Sequence, residues 1–317
     1  MKIQLITPAP LRINNGNKIT ALRWARLLRQ LGHEVTLHQS YNGERSDMLI
    51  ALHARRSYES ISRFHRIHPE LPLIVALTGT DLYRDIRTDR NARRSLELAT
   101  RIVALQQLAL TELPKRLHGK TRVIYQSSEP MRATLPFWNS RRFRVCVIGH
   151  LRHEKDPLRT AMAVRHLPSE SRIDVLHIGR VLEPNLENRA RAEVAQNPRY
   201  RWIGELPHWQ TRKILARSHL TVITSYMEGS SNVLSEALAS SVPVVASKIA
   251  GLMGTLGKNF PGYFPAGDTK RLTELLVKSE TDPKFYKSLK RAGGSLSYLV
   301  RPKRELDAWR RLLREFR

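Results

Sequence analysis

Cysteine is nearly absent from the 317 residues: Cys146 stands alone. A single thiol closes no internal disulfide and builds no cysteine-rich zinc site, which predicts a reduced, cytoplasmic protein. Long hydrophobic runs are missing as well. No apolar stretch approaches the roughly 18 residues of a spanning helix. The N-terminus, MKIQLITPAPL, carries one lysine and then two prolines where a secretory signal would carry an apolar core. Integral membrane and secreted classes are therefore not expected. Acidic residues are scarce, 28 against 54 basic ones, so the formal charge is +26. What remains is 41% hydrophobic and 26% charged, a globular composition rather than a disordered one.

Fourteen of the 54 basic residues are lysine, which leaves 40 arginines. Such a surplus fits nucleic acid, an anionic membrane surface, or small anionic substrates in a cleft. Nucleic-acid binders gather charge into a tail, a stripe or a known motif. Here arginine is spread over every segment, and neither zinc-finger spacing nor an RNP-like aromatic pattern occurs. Small anionic molecules are the expected partners, nucleic acid is not, and peripheral membrane contact stays compatible with the charge. Oligomeric state is not encoded in any pattern of the sequence.

The first third alternates strand and helix. MKIQLIT is a strand, Pro8 to Asn17 a loop, and ITALRWARLLRQLG a helix with Ala21, Trp24, Leu27, Leu28 and Leu31 on one face and Gly32 at its end. EVTLHQ, DMLIALH, PLIVALTG, RIVALQ and TRVIYQS read as strands, with SYESISRFHRI and RNARRSLELAT as helices. Residues 128–142 contain two prolines and no clear period, so they read as a linker. RFRVCVIGHL then restarts the pattern, and RIDVLHIG, RYRWIGEL, LTVITSY, VPVVAS and GYFPAG follow as short strands. KRELDAWRRLLREF is an amphipathic helix with Leu306, Trp309, Leu312, Leu313 and Phe316 near one face. The expectation is α/β: two doubly wound, Rossmann-like domains at 1–137 and 143–300, facing a cleft, with a terminal helix at 301–317 completing the first.

Two segments could carry chemistry. In MEGSSNVLSEAL, a strand is followed by a helix start with Ser230 and Ser231 as candidate N-caps. Glu228 and Glu236 flank that start. Unpaired N–H groups at a helix start suit a diphosphate, and carboxylates beside it suit sugar hydroxyls. An ordinary strand–helix turn with solvated acids has the same composition. In VIGHLRHEKDP, Arg152 and Lys155 follow a strand end at Gly149. Arginine offers a planar fork to phosphate oxygens and lysine a point charge.

The N-terminal half offers weaker candidates. Gly16 and Asn17 precede a helix at the carboxyl end of the first strand. His53, Arg55 and Arg56 lie at a strand end before a helix, where two arginines make an oxyanion site or a solvated turn. Thr78, Gly79, Thr80 and Asp81 end PLIVAL; Asp81 reads equally as a proton-handling group and as a turn cap. His150 and His153 are three apart, but no third ligand at a recognisable spacing accompanies them, so no metal site is expected.

The basic strand end, followed by E-G-x6-E, resembles the GT-B glycosyltransferases and within them the group-4-like enzymes. Their G-R-L-x-x-x-K segment resembles the basic turn that carries Arg152 and Lys155, and their E-x7-E segment matches at Glu228 and Glu236. The resemblance implies that Arg152 and Lys155 bind the donor diphosphate, Glu228 the donor sugar and Glu236 the nucleoside ribose. Gly229 and Asn232 lie in the same donor segment, and Gly16 and Asn17 are the expected donor contacts of the first domain. The family's E-G-F-G is E-G-S-S here, with Ser230 and Ser231 at the position of close approach. GNKITALRWARLLRQLGHEV, ALHARRS, LTGTDLYRD, NPRYRWIGEL and MEGSSNVLSEAL together look like the selenosugar synthases of selenoneine biosynthesis, over nearly the whole chain. That likeness implies transfer of a hexose (GlcNAc or Glc) from a UDP-sugar to selenium of selenophosphate, releasing UDP and phosphate and giving a 1-seleno-sugar. It implies an acceptor site near His53, Arg55, Arg56, Thr80 and Asp81, with Arg152, Lys155, Glu228 and Asp81 as catalytic groups. It implies no cofactor and no essential metal. The alternative is a conventional group-4 enzyme acting on a lipid or polysaccharide acceptor at the inner membrane.

Overall fold

A computed structural model of the chain describes residues 1–8, 15–131 and 141–316. By its contacts the chain forms two units: Met1–Ser127 with Glu228–Asn232 and Arg301–Arg317, and Ser128–Met227 with Val233–Val300. The linker expected over 128–142 falls largely outside the described residues, as do residues 9–14 of the first loop.

The first unit alternates β1 (Lys2–Ile6), α1 (Gly16–Gln30), β2 (Glu34–His38), β3 (Met48–Leu52), α2 (Tyr58–Ile67), β4 (Leu73–Ala76), α3 (Ile86–Thr88), α4 (Arg90–Leu98), β5 (Arg101–Ala104) and β6 (Thr121–Val123). Its sheet is parallel throughout, ordered β2-β1-β3-β4-β5-β6. Parallel strands covered on both faces need apolar residues at consecutive positions. β3 (MLIAL) and β4 (LIVA) satisfy this, with every residue buried. One face packs Leu49, Ala51, Ile61, Phe64 and Leu96; the other packs Met48, Ile50, Trp24, Leu28 and Trp309.

Helix α1 starts at Gly16, three residues earlier than the apolar periodicity suggests. The Asn15 side chain accepts a hydrogen bond from the Lys18 N–H (3.0 Å) and caps the first turn. Gly16 and Asn17 therefore open the helix instead of ending a loop. Apolar spacing could not reveal this, because the first turn has no buried side chain before Thr20. β6 stops at Val123, short of the expected Ser127. The stretches Gln107–Glu112 and Lys115–Lys120 are 3₁₀ turns, which leave no 3.6-residue signature.

The second unit runs β7 (Phe143–Ile148), α5 (Arg159–Val164), β8 (Ile173–Ile178), α6 (Pro184–Gln196), β9 (Tyr200–Trp202), α7 (His208–Ala216), β10 (Leu220–Ile223), α8 (Asn232–Ala239), β11 (Val244–Ser247), α9 (Ala250–Leu256), β12 (Tyr263–Phe264), α10 (Thr269–Thr281) and α11 (Pro283–Leu296). Its parallel sheet is ordered β12-β11-β10-β7-β8-β9. Strand order reverses between β7 and β10. In open sheets of this kind the ligand crevice lies beyond the carboxyl ends of the strands at that reversal. Helix α12 (Pro302–Arg314) closes the chain and belongs to the first unit. Its Trp309 meets Trp24 edge to face, with centroids 4.8 Å apart. Among the described residues no helix is long and apolar enough to cross a membrane.

Candidate active site

The turn after β7 sits at the strand-order reversal of the second unit. Gly149 leaves the strand in close contact with the chain after β8: a Cβ at Gly179 would lie 1.8 Å from the Gly149 carbonyl oxygen. Beneath it, His177 Nε2 lies 2.8 Å from that same oxygen and Nδ1 lies 2.6 Å from the Tyr200 hydroxyl. A carbonyl only accepts, so Nε2 carries the proton and Nδ1 accepts from Tyr200. Complete burial pushes the His177 pKa down to about 4, so the ring is neutral near pH 7.

Arg152 precedes a short 3₁₀ turn, His153–Lys155, and Asp156 ends it in the left-handed region (φ 42). The Thr224 hydroxyl, just past β10, donates to the carbonyls of Lys155 (2.8 Å) and Asp156 (2.9 Å). The Tyr226 N–H donates to the Glu154 carbonyl at 2.9 Å. Arg159 Nε donates to Asp156 at 2.7 Å, Nη1 to Thr269 at 2.7 Å and Nη2 to the Tyr226 hydroxyl at 3.1 Å. The basic turn is thus fixed by the ends of two adjacent strands. Arg152 Nε is buried and has no hydrogen-bond partner among the described residues. A buried guanidinium N–H left unpaired is costly, and an anionic oxygen relieves that cost.

Glu236 lies in the first turns of α8 and is buried. His208, the first residue of α7, donates from Nε2 to Glu236 Oε1 at 2.7 Å. A carboxylate held at one oxygen keeps the other for a hydroxyl.

Glu228–Asn232 belongs by its contacts to the first unit. Helix α8 begins at Asn232, so Ser231 and not Ser230 directly precedes it. Glu228, Ser230 and Ser231 are all buried. Gly229 crosses the Thr78–Gly79 backbone: an added Cβ would lie 2.5 Å from the Thr78 carbonyl carbon and 2.6 Å from its oxygen. Gly79 answers with φ 142, a value that glycine reaches without strain. The close approach is therefore made by glycines, and the two serines beyond it need not be small for that contact. Asn232 Nδ2 donates to the Gly16 carbonyl (3.2 Å), and Asn232 Oδ1 accepts from Arg23 Nη1 (2.9 Å).

The carboxyl ends of β3 and β4 gather the other candidates of the first unit. His53 has φ 72, a left-handed conformation that costs a side-chain-bearing residue about 1 kcal/mol. Its Nδ1 accepts from the Arg56 N–H (3.3 Å), which leaves Nε2 to donate to the Thr80 hydroxyl (2.9 Å). Burial lowers its pKa; Asp81 and Asp85 pull the other way and are outweighed. Asp81 is fully buried, and its two oxygens accept from the N–H groups of Ala54, Thr78, Gly79 and Leu82 at 2.8–3.2 Å. Of the two readings open for Asp81, the geometry favours the turn-organising one. Arg55 and Arg56 both lie on the surface, and Arg55 Nε is paired with Asp85 at 3.0 Å. Among the described residues no group of three or more His, Cys, Asp or Glu is placed to hold a metal ion. Cys146 is buried, and that burial raises its pKa to about 12, so it is no nucleophile.

Arg23, Thr224, Tyr226, His208 and Glu305 were not singled out by sequence. One signal was available for Glu305: its spacing to Trp309 and Leu312 puts a carboxylate inside the apolar stripe of α12. Nothing marks Thr224 or His208 before their partners are placed.

The sequence model of glycosyl transferases group 1 matches residues 136–295. Glycosyltransferase 1 domain-containing protein 1 of Xenopus tropicalis is 25% identical over 280 residues, 79% of each chain. Anabaena HepE, solved with UDP and glucose, superposes with a TM-score of 0.78 at 16% identity, covering 99% of this chain and 100% of its own. Sucrose-phosphate synthase of Thermosynechococcus elongatus gives 0.77 at 14% identity, covering 99% and 98%. The fold is that of the GT-B enzymes, and with the family match spanning half of its length, including the basic turn and the Glu228–Glu236 segment, the chain belongs to the group 1 glycosyltransferases.

Proposed function

We propose that this enzyme moves a hexose, GlcNAc or glucose, from a UDP-sugar to the selenium of selenophosphate. The observation that carries the donor half is the buried Arg152 Nε, which has no hydrogen-bond partner among the described residues, in the turn at the strand-order reversal. Lys155 is in the same turn, and the two cations suit a diphosphate. HepE, a structural neighbour, was solved with UDP and glucose. Glu236, with one oxygen held by His208, accepts a ribose hydroxyl at the other; Glu228 takes the donor sugar. Gly229, Ser230, Ser231 and Asn232 line the same donor segment, with Gly16 and Asn17 at the start of α1.

The acceptor half rests on the resemblance to selenosugar synthases. Selenium attacks the anomeric carbon, the bond from that carbon to the UDP oxygen breaks, and UDP leaves with the electron pair. Arg152 and Lys155 stabilise the charge that develops on it, and no divalent cation is required. Selenophosphate is anionic near neutral pH and needs no general base to attack. Water then cleaves the Se–P bond, giving phosphate and the 1-seleno-sugar. His53, neutral and hydrogen-bonded to Thr80, is better suited to orient that water than Asp81, whose oxygens are taken by backbone N–H groups. Arg55 and Arg56, both on the surface, are the arginines proposed to meet the anion, with Arg55 Nε also paired to Asp85.

The experiment is mass spectrometry of products after incubation with UDP-GlcNAc or UDP-glucose and selenophosphate, with EDTA present. A seleno-hexose with UDP and phosphate is expected. UDP release without a selenium product would leave a UDP-sugar transferase with another acceptor. One observation favours a lipid or polymer acceptor instead: α4 turns Arg90, Arg93 and Arg94 to solvent, a basic face suited to an anionic membrane. Sedimentation with anionic liposomes at physiological salt would support that second reading.

A further inference from the structure

Arg23 has no place in the motifs, yet three of its features make it unusual. Its side chain is 10% exposed, its Nε donates to Glu305 Oε2 at 3.0 Å, and its Nη1 donates to Asn232 Oδ1 at 2.9 Å. Asn232 in turn donates from Nδ2 to the Gly16 carbonyl. Glu305 is 1% exposed and is itself over-determined: it accepts from Trp24 Nε1 (2.7 Å), from the Ser127 N–H (2.8 Å) and from the Ser127 hydroxyl. A fully buried carboxylate on α12 therefore fixes a guanidinium on α1, and that guanidinium fixes the residue that ends the Glu228–Asn232 loop.

Buried charge is expensive and survives only when paired and hydrogen-bonded. A bare packing role for α12 against α1 is already filled by Trp24, Trp309, Leu312 and Leu313. The Glu305–Arg23 pair adds little that hydrophobic residues could not supply to stability. What it adds is direction: a rigid fork with one nitrogen on the carboxylate and another on Asn232. The loop it reaches holds Glu228 and the Gly229 crossing over Thr78 and Gly79.

We infer that Glu305 and Arg23 are positioning residues for glycosyl transfer, setting the Glu228–Asn232 loop through Asn232. This rests on the donor role proposed for that loop. The pair touches no substrate. It acts by holding the loop in one arrangement, and misplacement of a reacting group by about 1 Å can cost about 100-fold in rate.

Two variants test this, because Arg23→Met alone leaves Glu305 buried without its counter-charge. The double variant R23M/E305Q removes both charges together, and Asn232→Ala cuts the relay at its far end while keeping the ion pair. Each is compared with the parent protein by thermal unfolding, by hydrogen exchange of the peptide spanning 226–234, and by steady-state kinetics with UDP-GlcNAc and UDP-glucose. The expected result is a near-parental melting temperature for Asn232→Ala and a lower one for R23M/E305Q, whose amide keeps only one of the two acceptor oxygens used by Trp24 and Ser127, with faster exchange at that peptide in both and kcat reduced about 10- to 100-fold with a smaller change in the donor KM. A third variant, Arg23→Lys, keeps the charge but not the fork and should also lower kcat. Unchanged exchange in both variants would overturn the relay whatever the enzyme's substrate. Faster exchange with parental kcat would overturn its role in transfer. If the parent protein turns over no UDP-sugar, the donor reading fails by itself, and the exchange data still judge the relay.

Discussion

Acid should loosen the second unit through a single imidazole. His177 is buried between the Gly149 carbonyl and the Tyr200 hydroxyl and must stay neutral to keep both hydrogen bonds. Its folded pKa is about 4, against 6.5 for a free side chain. The unfolded chain therefore takes up a proton first as pH falls. Stability from this group is complete above pH 6.5 and is lost on the way down to pH 4. Linkage over that interval amounts to about 3 kcal/mol in all, of which about 2 kcal/mol is lost between pH 7 and pH 5. His177→Gln keeps a donor for Gly149 and an acceptor for Tyr200 but does not titrate. Urea unfolding of both proteins at pH 7 and pH 5 isolates the effect. His53, also pushed down by burial, contributes equally to both and cancels. The wild type should lose about 2 kcal/mol more than the variant over that range. Equal losses would refute the assignment of His177 as the buried neutral base.

Gly229→Ala forces a Cβ into the Thr78 carbonyl, and backbone cannot yield as a side-chain tip can. Destabilisation of about 1–3 kcal/mol, or loss of exchange protection at the loop, is expected by calorimetry or hydrogen exchange. Arg152→Ala and Lys155→Ala should each cost about 2–4 kcal/mol in transition-state stabilisation while circular dichroism stays parental; unchanged kcat/KM in both would move the diphosphate elsewhere. Glu236→Gln should raise the donor KM with little effect on kcat, and Glu228→Gln should lower kcat, because a ribose contact is present in ground and transition states alike. The reverse pattern in steady-state kinetics would exchange the two roles.

The sheets were legible because their strands are continuous apolar runs bounded by turn residues, as in LIVA and VVAS. Strand existence was clearer than strand length: TRVIYQS and GYFPAG hold only three and two ladder residues. Short edge strands owe their extent to a single neighbour rather than to their own pattern. The start of α1 was hidden because an Asn cap, and not apolar spacing, sets it. Arg152 and Lys155 could be found from their place after a strand. Their supports could not, because Thr224 and Tyr226 are some 70 residues away and unremarkable in local composition. Asp81 shows the limit from the other side. Its position at a strand end is shared by proton-handling and loop-organising acids, and only the four N–H groups around it separate the two.

Trp309 has a consequence for how the chain matures on the ribosome. The sheet face it covers is assembled from residues ending at Ile124, and the same cluster contains Trp24, Leu312 and Leu313. That face is made well before its cover. At about 5–20 residues per second, the 185 residues between Ile124 and Trp309 take roughly 10–40 s to synthesise. During that interval Trp24 lacks its contacts with Trp309 and Glu305, and Arg23 has no carboxylate from Glu305. A chain lacking α12 would keep the Trp24 side of this cluster without Trp309, Leu312 and Leu313.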